Sequence, residues 1–182
     1  MTVIAAAYNN ANDYAIGADT QSEIGGAKQP HPMVKVWRWG EVLLGSAGSL
    51  AQGQRLRQHM ESLAFPAITE AGLLAALESA HASLIQQTGS PGFGQVADSG
   101  IILLTVASWG IRSMDGAGAT VDHGPWWAVG SGGPEARGAM WARRQHLGDC
   151  DPARLVDLGV RAAIELDTGC GGAPVVLTGA PS

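Results

Sequence analysis

The sequence predicts an α+β protein in which two antiparallel β-sheets stack face to face and helices cover their outer faces. The first observation is the order of segments along the chain: strands, two helices, strands, two helices and a final strand. The second is composition, because 46% of the 182 residues are hydrophobic and 15% are charged, which is enough for a substantial core. No internal repeat or linker is visible, so residues 1–182 are interpreted as one domain, a four-layer αββα sandwich.

The first part of the chain reads as strands joined by turns. Apolar and β-branched residues lie on both sides of a polar turn at 9–12, which predicts a β-hairpin. A loop containing glycine and proline follows at 25–32, and a second pair of strands flanks the turn at 40–41. The four predicted strands are Thr2–Tyr8, Tyr14–Ala18, Val34–Trp39 and Val42–Ala47.

Two helices are predicted next, from apolar residues at helical spacing. The first presents a stripe of Leu56, Met60 and Leu63. The second begins after Thr69-Glu70, and its stripe consists of Leu73, Leu74, Leu77, Ala80, Leu84 and Ile85. The segment 88–95 is predicted to be a flexible loop, because its sequence is TGSPGFGQ.

Strands followed by helices recur in the second half. The stretch 100–108 is almost continuously apolar, which is typical of a strand buried on both faces, and two or three short strands follow up to Val129. A helix is predicted at 132–146, a second begins at 151–152, and a short strand at 174–178 ends the fold. The residues of the last helix predicted to face inward are Leu155, Leu158, Ala162 and Leu166.

Charge and cysteine content exclude several classes of protein. The formal net charge is −5 and the pI is near 5.4, so the basic surface of a nucleic-acid-binding protein is missing. Cys150 and Cys170 are too few for a disulfide framework and form no CxxC zinc motif. No apolar run reaches the ~18 residues of a membrane span, and no basic signal-peptide region precedes the first strand. We therefore expect a cytoplasmic protein with no membrane or nucleic-acid partner.

Common catalytic motifs are also absent. The sequence contains no GxSxG nucleophile elbow, HExxH zinc motif, P-loop or GxGxxG fingerprint. The five histidines are scattered, and none stands at metal-ligand spacing from another, so ordinary core or surface positions are the simpler interpretation. No ligand pattern for a metal can be read from the chain, and the identity of any structural cation stays open.

Thr2 carries the one chemical pattern that stands out. Methionine aminopeptidases remove Met1 when the second residue is small, which would leave a free threonine amine. An α-amine has a pKa of about 7.7–8.0, so it is partly neutral at physiological pH and can act as a base. A threonine hydroxyl needs such a base to become a good nucleophile. By itself the pattern is weak, because many ordinary proteins begin Met-Thr.

A series of short motifs, spread from residue 2 to about 178, gives Thr2 more weight. In chain order they are Thr2-Val-Ile, Ile16-Gly-Ala-Asp19-Thr, Val34-Lys35-Val36, Leu44-Gly-Ser-Ala-Gly48-Ser49, Val129-Gly-Ser131-Gly-Gly-Pro and Asp167-Thr-Gly-Cys170-Gly-Gly. Together they resemble the proteasome β-type subunits, and most closely the bacterial HslV (ClpQ) branch or a related bacterial homologue. These proteins are N-terminal nucleophile (Ntn) hydrolases.

The resemblance implies both a fold and an activity. The fold is the αββα sandwich of the Ntn hydrolases, and the activity is that of a threonine-type endopeptidase. Such subunits form homo-oligomeric stacked rings that cleave unfolded polypeptides, commonly delivered by a separate AAA+ ATPase. Peptide-bond hydrolysis of this kind requires no cofactor.

The resemblance also assigns roles at the reacting end of the site. Thr2 matches the nucleophile, and Asp19 matches the acidic residue beside it. Lys35 matches the lysine whose ammonium favours deprotonation of the Thr2 hydroxyl, with Asp19 holding that lysine charged and oriented. Gly48 matches the residue whose backbone N–H forms the oxyanion hole.

Three further positions match residues that support the threonine amine. They are Ser131, Asp167 and Cys170, and the last departs from the family, which usually has serine there. A thiol is a poorer hydrogen-bond partner than a hydroxyl. The segment between Asp19 and Lys35 is about one residue longer than is usual, which leaves the lining of the substrate side-chain pocket open.

Each assigned residue also has an ordinary structural interpretation. Asp19 could cap a turn after the hairpin, Lys35 could be a solvated charge on a strand, and Gly48 could be a turn glycine only. Ser131 could be the N-cap of the following helix, and Asp167 could cap the end of a loop.

Two other functions stay open beside the peptidase. One is a non-catalytic ring-forming scaffold in which Met1 is retained, like the α-type subunits of proteasomes. The predicted first strand begins at Thr2, so the N-terminal helical extension of α-type subunits is not expected here. The other is a small-molecule amidohydrolase of the same superfamily.

Overall fold

The computed structural model describes residues 1–9, 13–24, 27–29, 31–63, 69–88, 101–148 and 150–179. Within those residues the elements are, in chain order, β1 (Val3–Tyr8), β2 (Tyr14–Ala18), β3 (Glu23–Ile24), β4 (Ala27–Lys28), β5 (Val36–Trp39), β6 (Val42–Ala47), α1 (Leu50–Ser62), α2 (Glu70–Thr88), β7 (Ile102–Ala107), β8 (Gly110–Met114), β9 (Thr120–His123), β10 (Trp126–Gly130), α3 (Gly133–Leu147), α4 (Pro152–Leu166) and β11 (Val175–Thr178).

Two antiparallel sheets form the middle of the protein. The first sheet has the strand order β10-β1-β2-β11, and the second has the order β5-β6-β7-β8-β9. In the first sheet Ile4 of β1 lies opposite Val129 on one side and Ala18 on the other. In the second sheet Gly45 of β6 lies opposite Val36 and Leu104. The β3–β4 pair forms a separate two-stranded hairpin.

Three apolar clusters separate four layers. Side chains of both sheets form the central cluster, which includes Ile4, Ile16, Leu43 and Leu104. Helices α3 and α4 cover the first sheet, and α1 and α2 cover the second. The predicted α+β class and the αββα order are therefore confirmed.

The sequence of β1 explains why this strand can stand in the middle of the molecule. Its residues, VIAAAY, include three consecutive alanines, and all but the last are buried. Ile4 and Ala6 point into the cluster between the sheets, whereas Val3, Ala5 and Ala7 point toward α3 and α4. Small side chains on both faces let the helices and the second sheet approach closely. This central strand carries Thr2 at its start.

The inward face predicted for α4 is wrong for three of its four residues. Leu155 is buried, but Leu158 and Leu166 are 38% and 69% exposed and Ala162 is half-buried. The buried stripe is instead Pro152, Leu155, Val156, Gly159, Val160 and Ala163. A close approach between helices selects this face, because a Cβ at Gly159 would lie 2.9 Å from the side chain of Met140 on α3. Small and β-branched residues thus face the layer, and the larger leucines face outward.

The structure also differs at two places before β6. The stretch 25–32 was predicted to be loop, yet Ala27–Lys28 pairs with Glu23–Ile24 as a short hairpin. A Gly-Gly dipeptide between two short runs is a known hairpin signal, and the loop prediction overlooked it. Strand β5 begins at Val36 rather than at Val34, although Ser46 N–H still donates to the Lys35 carbonyl oxygen (3.1 Å).

Two other expectations fall partly or wholly outside the described residues. The predicted turn at 9–12 is described only at its first residue, and the predicted loop at 88–95 only where α2 ends. Three short strands, β8, β9 and β10, follow β7, in agreement with the two or three predicted. Among the described residues, no helix is both long enough and apolar enough to cross a membrane.

Replacing Gly45 by alanine is expected to destabilise the fold by about 1–3 kcal/mol, the usual range for overpacking a core. The added Cβ would lie 2.5 Å from Ile4 Cγ2 and 3.0 Å from Val36 Cγ1, between the two sheets. Urea denaturation measures the change in the free energy of unfolding. Gly138→Ala is the matched control, because Gly138 is exposed on α3 and has no heavy atom within 4 Å of its added Cβ. Equal stability of the two variants would contradict the close packing of the sheets.

Candidate active site

Thr2 lies at the start of β1, on the wall of a cleft of about 340 Å³. Lys35 and Gly48 line the same cleft, so three of the predicted site residues share one cavity. The Thr2 hydroxyl donates a hydrogen bond to the Met1 carbonyl oxygen (2.6 Å). The Thr2 backbone N–H donates to Ser131 Oγ (3.2 Å). The nitrogen that would become a free amine on loss of Met1 is therefore already held by a hydroxyl.

Asp19 is the buried centre of the site. It follows β2 directly, and no part of it is exposed. Its Oδ1 accepts hydrogen bonds from Lys35 Nζ (2.7 Å) and from the Val3 N–H (3.1 Å). Its Oδ2 accepts one from the Gly171 N–H (3.2 Å). Because Val3 is bonded to Thr2, one carboxylate fixes both the lysine and the backbone beside the threonine.

Lys35 is nearly buried, and its ammonium is held in an ion pair with Asp19. The alternative in which Lys35 is a solvated strand charge is therefore wrong. A fixed ammonium in a partly buried cleft interacts with a developing negative charge more strongly than a solvated one does. Lys35 lines the cleft together with Thr2, so this charge can act on an anionic oxygen that forms there.

Gly48 lies between β6 and α1, with a φ of +104°. A residue with a Cβ would be strained in this conformation, so the position favours glycine. The missing side chain also leaves the backbone open to a group that enters the cleft. Both properties fit a residue whose backbone N–H meets a substrate carbonyl.

A second polar cluster supports the other side of Thr2. Ser131 follows β10, and its hydroxyl lies 3.4 Å from the Thr2 carbonyl oxygen and within hydrogen-bonding reach of Asp167. Asp167 ends α4 and accepts hydrogen bonds from the Gly169 N–H (2.9 Å) and the Cys170 thiol (3.3 Å). The Gly169 N–H and then the Ser131 hydroxyl hold the pKa of the Asp167 carboxyl below its ordinary value. The cluster thus joins residues that are far apart in the chain.

The structural alternative for Ser131 is wrong. The residue at the N-cap of α3 is Gly132, and no side chain caps that helix. Asp167 does stand at the C-terminal end of α4, and its bond to Gly169 organises the following turn. A local structural role and a role toward Thr2 are therefore both compatible with Asp167.

Cys170 is buried, and its thiol stays protonated. Burial first, and then the negative charge of Asp19 and the hydrogen bond to Asp167, raise the pKa of Cys170 to about 12. A protonated thiol donates its one proton to Asp167 and adds no charge to the cluster. The sulfur therefore fills the donor role expected of the usual serine, through a longer and weaker bond.

Sequence reasoning missed a backbone clamp that closes the site. The Gly171 carbonyl oxygen accepts hydrogen bonds from the N–H groups of Thr20 (3.2 Å) and Gln21 (3.1 Å). In return, Thr20 Oγ1 accepts one from the Ala173 N–H (3.0 Å). This clamp fastens the segment after Cys170 to the segment after β2. The adjacent glycines at 171 and 172 were the available signal, because they mark a place where backbones meet closely.

The walls of the cleft were missed as well. Beyond the predicted residues they include Glu23, Trp37, Ser46, Gly53 and Arg57. The described part of the chain holds no group of three or more His, Cys, Asp or Glu side chains placed to bind a metal ion. What the cleft offers is a hydroxyl, an ammonium paired with a carboxylate, and open backbone, which suit nucleophilic attack on a carbonyl group.

The raised pKa of Cys170 leads to a labelling prediction. The thiolate is the reactive form, so iodoacetamide at pH 8 is expected to modify the half-buried Cys150 and to leave Cys170 unmodified in the folded protein. Peptide mapping by mass spectrometry measures the modification of both cysteines, and Cys150→Ser isolates Cys170. Comparable labelling of the two cysteines at pH 8 would contradict the raised pKa of Cys170.

The raised pKa of Cys170 also determines how the stability of the fold changes with pH. The folded state keeps a proton that the unfolded chain releases above its ordinary pKa of 9.0. This contribution to the free energy of unfolding therefore falls as the pH rises toward about 12.

Comparisons of the sequence with known families give no match. No model of a protein family matches the chain, and no curated protein matches it.

Solved structures do match it over nearly its whole length. Thiobacillus denitrificans BPH superimposes with a TM-score of 0.82 at 23% identity, covering all of both chains. The same protein in complex with epoxomicin gives the same TM-score and identity, covering 99% of this chain and 100% of that one. Eukaryotic HslV from Trypanosoma brucei matches with a TM-score of 0.72 at 19% identity, covering 97% of this chain and 98% of that one. The chain therefore has the proteasome-type, HslV-like fold.

Proposed function

We propose that the chain is a threonine-type endopeptidase, a subunit of a self-compartmentalising ring protease, in which Thr2 becomes the N-terminal residue when Met1 is removed. One observation carries the proposal, which is the convergence of two polar clusters on Thr2. The Lys35–Asp19 pair lies on one side, and Ser131 with the residues it contacts lies on the other. The proteasome-type fold supports a peptidase of this kind.

In the first step the Thr2 hydroxyl becomes a nucleophile. Loss of Met1 converts the Thr2 amide nitrogen into an amine, at the position that now contacts Ser131 Oγ. That amine takes the hydroxyl proton, directly or through water, while the ammonium of Lys35 stabilises the oxygen as its negative charge grows. Met1 is 62% exposed and lies outside the three apolar clusters, so its loss removes a contact with Gly169 and the hydrogen bond from the Thr2 hydroxyl but leaves those clusters unchanged.

In the second step Thr2 Oγ1 attacks the carbonyl carbon of a peptide bond. The negative charge moves to the carbonyl oxygen, where the Gly48 N–H stabilises it. Collapse of this intermediate breaks the C–N bond, and the departing amine takes the proton held by the Thr2 amine. An ester joins the substrate to Thr2, and water activated by the same amine then hydrolyses it. The proton that left with the departing amine is replaced by one from this water, so Thr2 regains its hydroxyl, and the reaction needs no cofactor.

The assembly and location form part of the same proposal. Exposed apolar side chains on α3 and α4, among them Trp141 and Leu166, support contacts between copies of the chain in homo-oligomeric stacked rings. Enclosed sites would admit unfolded polypeptides only. The sequence contains no Walker motif, so an AAA+ ATPase that unfolds substrates would be a separate subunit. We place this assembly in the cytoplasm.

A peptide epoxyketone such as epoxomicin tests the nucleophile directly. This reactive group needs a hydroxyl and a free amine on one residue to form a stable ring. Intact mass spectrometry is expected to show loss of Met1 and one adduct per chain. Thr2→Ala should abolish the adduct, and the matched variant Thr120→Ala, on exposed β9, should keep it.

The other outcomes of that measurement separate the alternatives. A mass that retains Met1 would overturn the catalytic proposal and favour the ring-forming scaffold. An adduct that persists in Thr2→Ala would place the nucleophile elsewhere.

Lys35→Met is expected to lower kcat/KM for peptide hydrolysis by about 100-fold or more, because the charge that stabilises the attacking oxygen is removed. It should also destabilise the fold by about 3–5 kcal/mol, because Asp19 stays buried without its cation. The double variant Lys35→Met/Asp19→Asn should recover part of that stability and stay inactive. Fluorogenic peptides and urea denaturation measure the two effects separately. Wild-type activity in either variant would contradict the role given to Lys35.

A further inference from the structure

Thr20 is a buried residue beside the buried carboxylate of the site, and it holds three segments of the chain together. It follows Asp19 directly and is 7% exposed. Its N–H donates to the Gly171 carbonyl oxygen (3.2 Å), and its carbonyl oxygen accepts from the Met33 N–H (2.9 Å). Its hydroxyl oxygen accepts from the Ala173 N–H (3.0 Å). Thr20 therefore joins the segment after β2 to the segments that precede β5 and β11.

Two of these partners stand beside groups that belong to the candidate site. Met33 lies two residues before Lys35, whose ammonium pairs with Asp19 (2.7 Å). Gly171 donates its own N–H to the other carboxylate oxygen of Asp19 (3.2 Å). Gly171 also directly follows Cys170, a member of the second polar cluster. A shift of either segment would therefore move a charge or a hydrogen-bond donor relative to the nucleophile.

The junction between Thr20 and the segment 171–173 is tight. Gly172 has a φ of +76°, and a Cβ added to it would meet the Thr20 hydroxyl oxygen. The hydroxyl is the part of this junction that a substitution can remove, because the backbone hydrogen bonds do not depend on the side chain. A methyl group in its place would face the same backbone without accepting the Ala173 N–H.

Thr20 does not form part of the substrate-binding surface that the structure describes. The described residues that line the cleft include Gln21 and Ser22, but not Thr20. A change of its side chain therefore leaves the walls of the cleft in place and acts on the reacting groups through their neighbours. Small displacements of reacting groups lower the rate of a chemical step steeply, by as much as about 100-fold for 1 Å.

We propose that Thr20 is a positioning residue of the peptidase site. Its hydroxyl fixes the segment 171–173 while its backbone fixes the segment before Lys35, so that Asp19 holds the lysine and the Gly171 N–H at the same time. The inference rests on the proposed peptidase function. It adds a residue that acts on the chemical step and not on substrate binding.

Hydrolysis of a fluorogenic peptide by the assembled protein, with Met1 removed, measures kcat and KM separately. Thr20→Val keeps the shape of the side chain and removes the hydroxyl. It is expected to lower kcat at least about tenfold and to change KM less than about twofold. Thr20→Ser keeps the hydroxyl and should retain most of kcat. The rate of epoxyketone adduct formation should fall together with kcat.

Thr105→Val is the matched control for the loss of a buried threonine hydroxyl. Thr105 lies on β7, is 2% exposed and donates its hydroxyl to the Arg112 carbonyl oxygen (3.3 Å), away from the described lining of the cleft. Urea denaturation should show that this variant is also destabilised, but its kcat should equal that of the wild type. An unchanged kcat in Thr20→Val, or an equal fall of kcat in Thr105→Val or Thr20→Ser, overturns the inference.

A second pair of variants tests the same junction from its exposed side, so that poor folding of Thr20→Val cannot protect the inference. Gly172→Ala places a Cβ against the Thr20 hydroxyl and should lower kcat with little change in KM. Gly148→Ala is its control, because Gly148 also has a positive φ, +68°, but has no heavy atom within 4 Å of an added Cβ. Wild-type kcat in Gly172→Ala overturns the inference and leaves the peptidase intact. A wild-type protein that neither cleaves peptides nor forms the epoxyketone adduct overturns both.

Discussion

The arrangement of the site depends on one buried carboxylate. Asp19 is fully removed from water, and an unpaired charge in that position would cost several kcal/mol. Its partners come from three separate parts of the chain: Lys35 before β5, Val3 at the start of β1 and Gly171 after α4. The need to satisfy this carboxylate therefore draws both sheets and the C-terminal segment to one point. Thr2 lies at that point because it is bonded to one of the partners.

The site also requires the backbone between β10 and α3 to lie very close to Thr2 and Cys170, and glycine makes this possible. Gly130 has a φ of +92° and lies against the Thr2 carbonyl group, where a Cβ would not fit. A Cβ at Gly132 would lie 2.7 Å from both Ala163 and the Cys170 sulfur. These two glycines let the turn between β10 and α3 touch the start of β1 and the end of α4. Ser131 stands between them, so its contact with Thr2 depends on their lack of side chains.

Local pattern predicted most of the fold, and the failures have physical causes. Strands such as β1 and helices such as α2 follow from apolar periodicity within single segments. The buried face of α4 could not be predicted from periodicity, because Leu158 and Leu166 suit a buried stripe as well as the smaller Val156 and Gly159 do. Only packing against Met140 decides between them. Local sequence pattern predicts even less of the site, because its residues are far apart in the chain. Ser131 and Thr2 are 129 residues apart, and their contact was predicted by resemblance alone. Wall residues of the cleft such as Trp37 were missed because only the folded structure brings them beside Thr2.

The proposed mechanism requires charges of opposite sign on the two sides of Thr2. On one side the charge of Lys35 favours an anionic oxygen, but the same positive charge opposes protonation of a nearby amine. On the other side Asp167 stays ionised because the Gly169 N–H and the Ser131 hydroxyl lower its pKa, and a negative charge there favours the protonated amine. Cys170 keeps this balance, since its raised pKa prevents a further anion from forming beside Asp19 and Asp167. A thiolate would add a second negative charge beside Asp167 and favour the protonated amine further, whereas the neutral sulfur adds none.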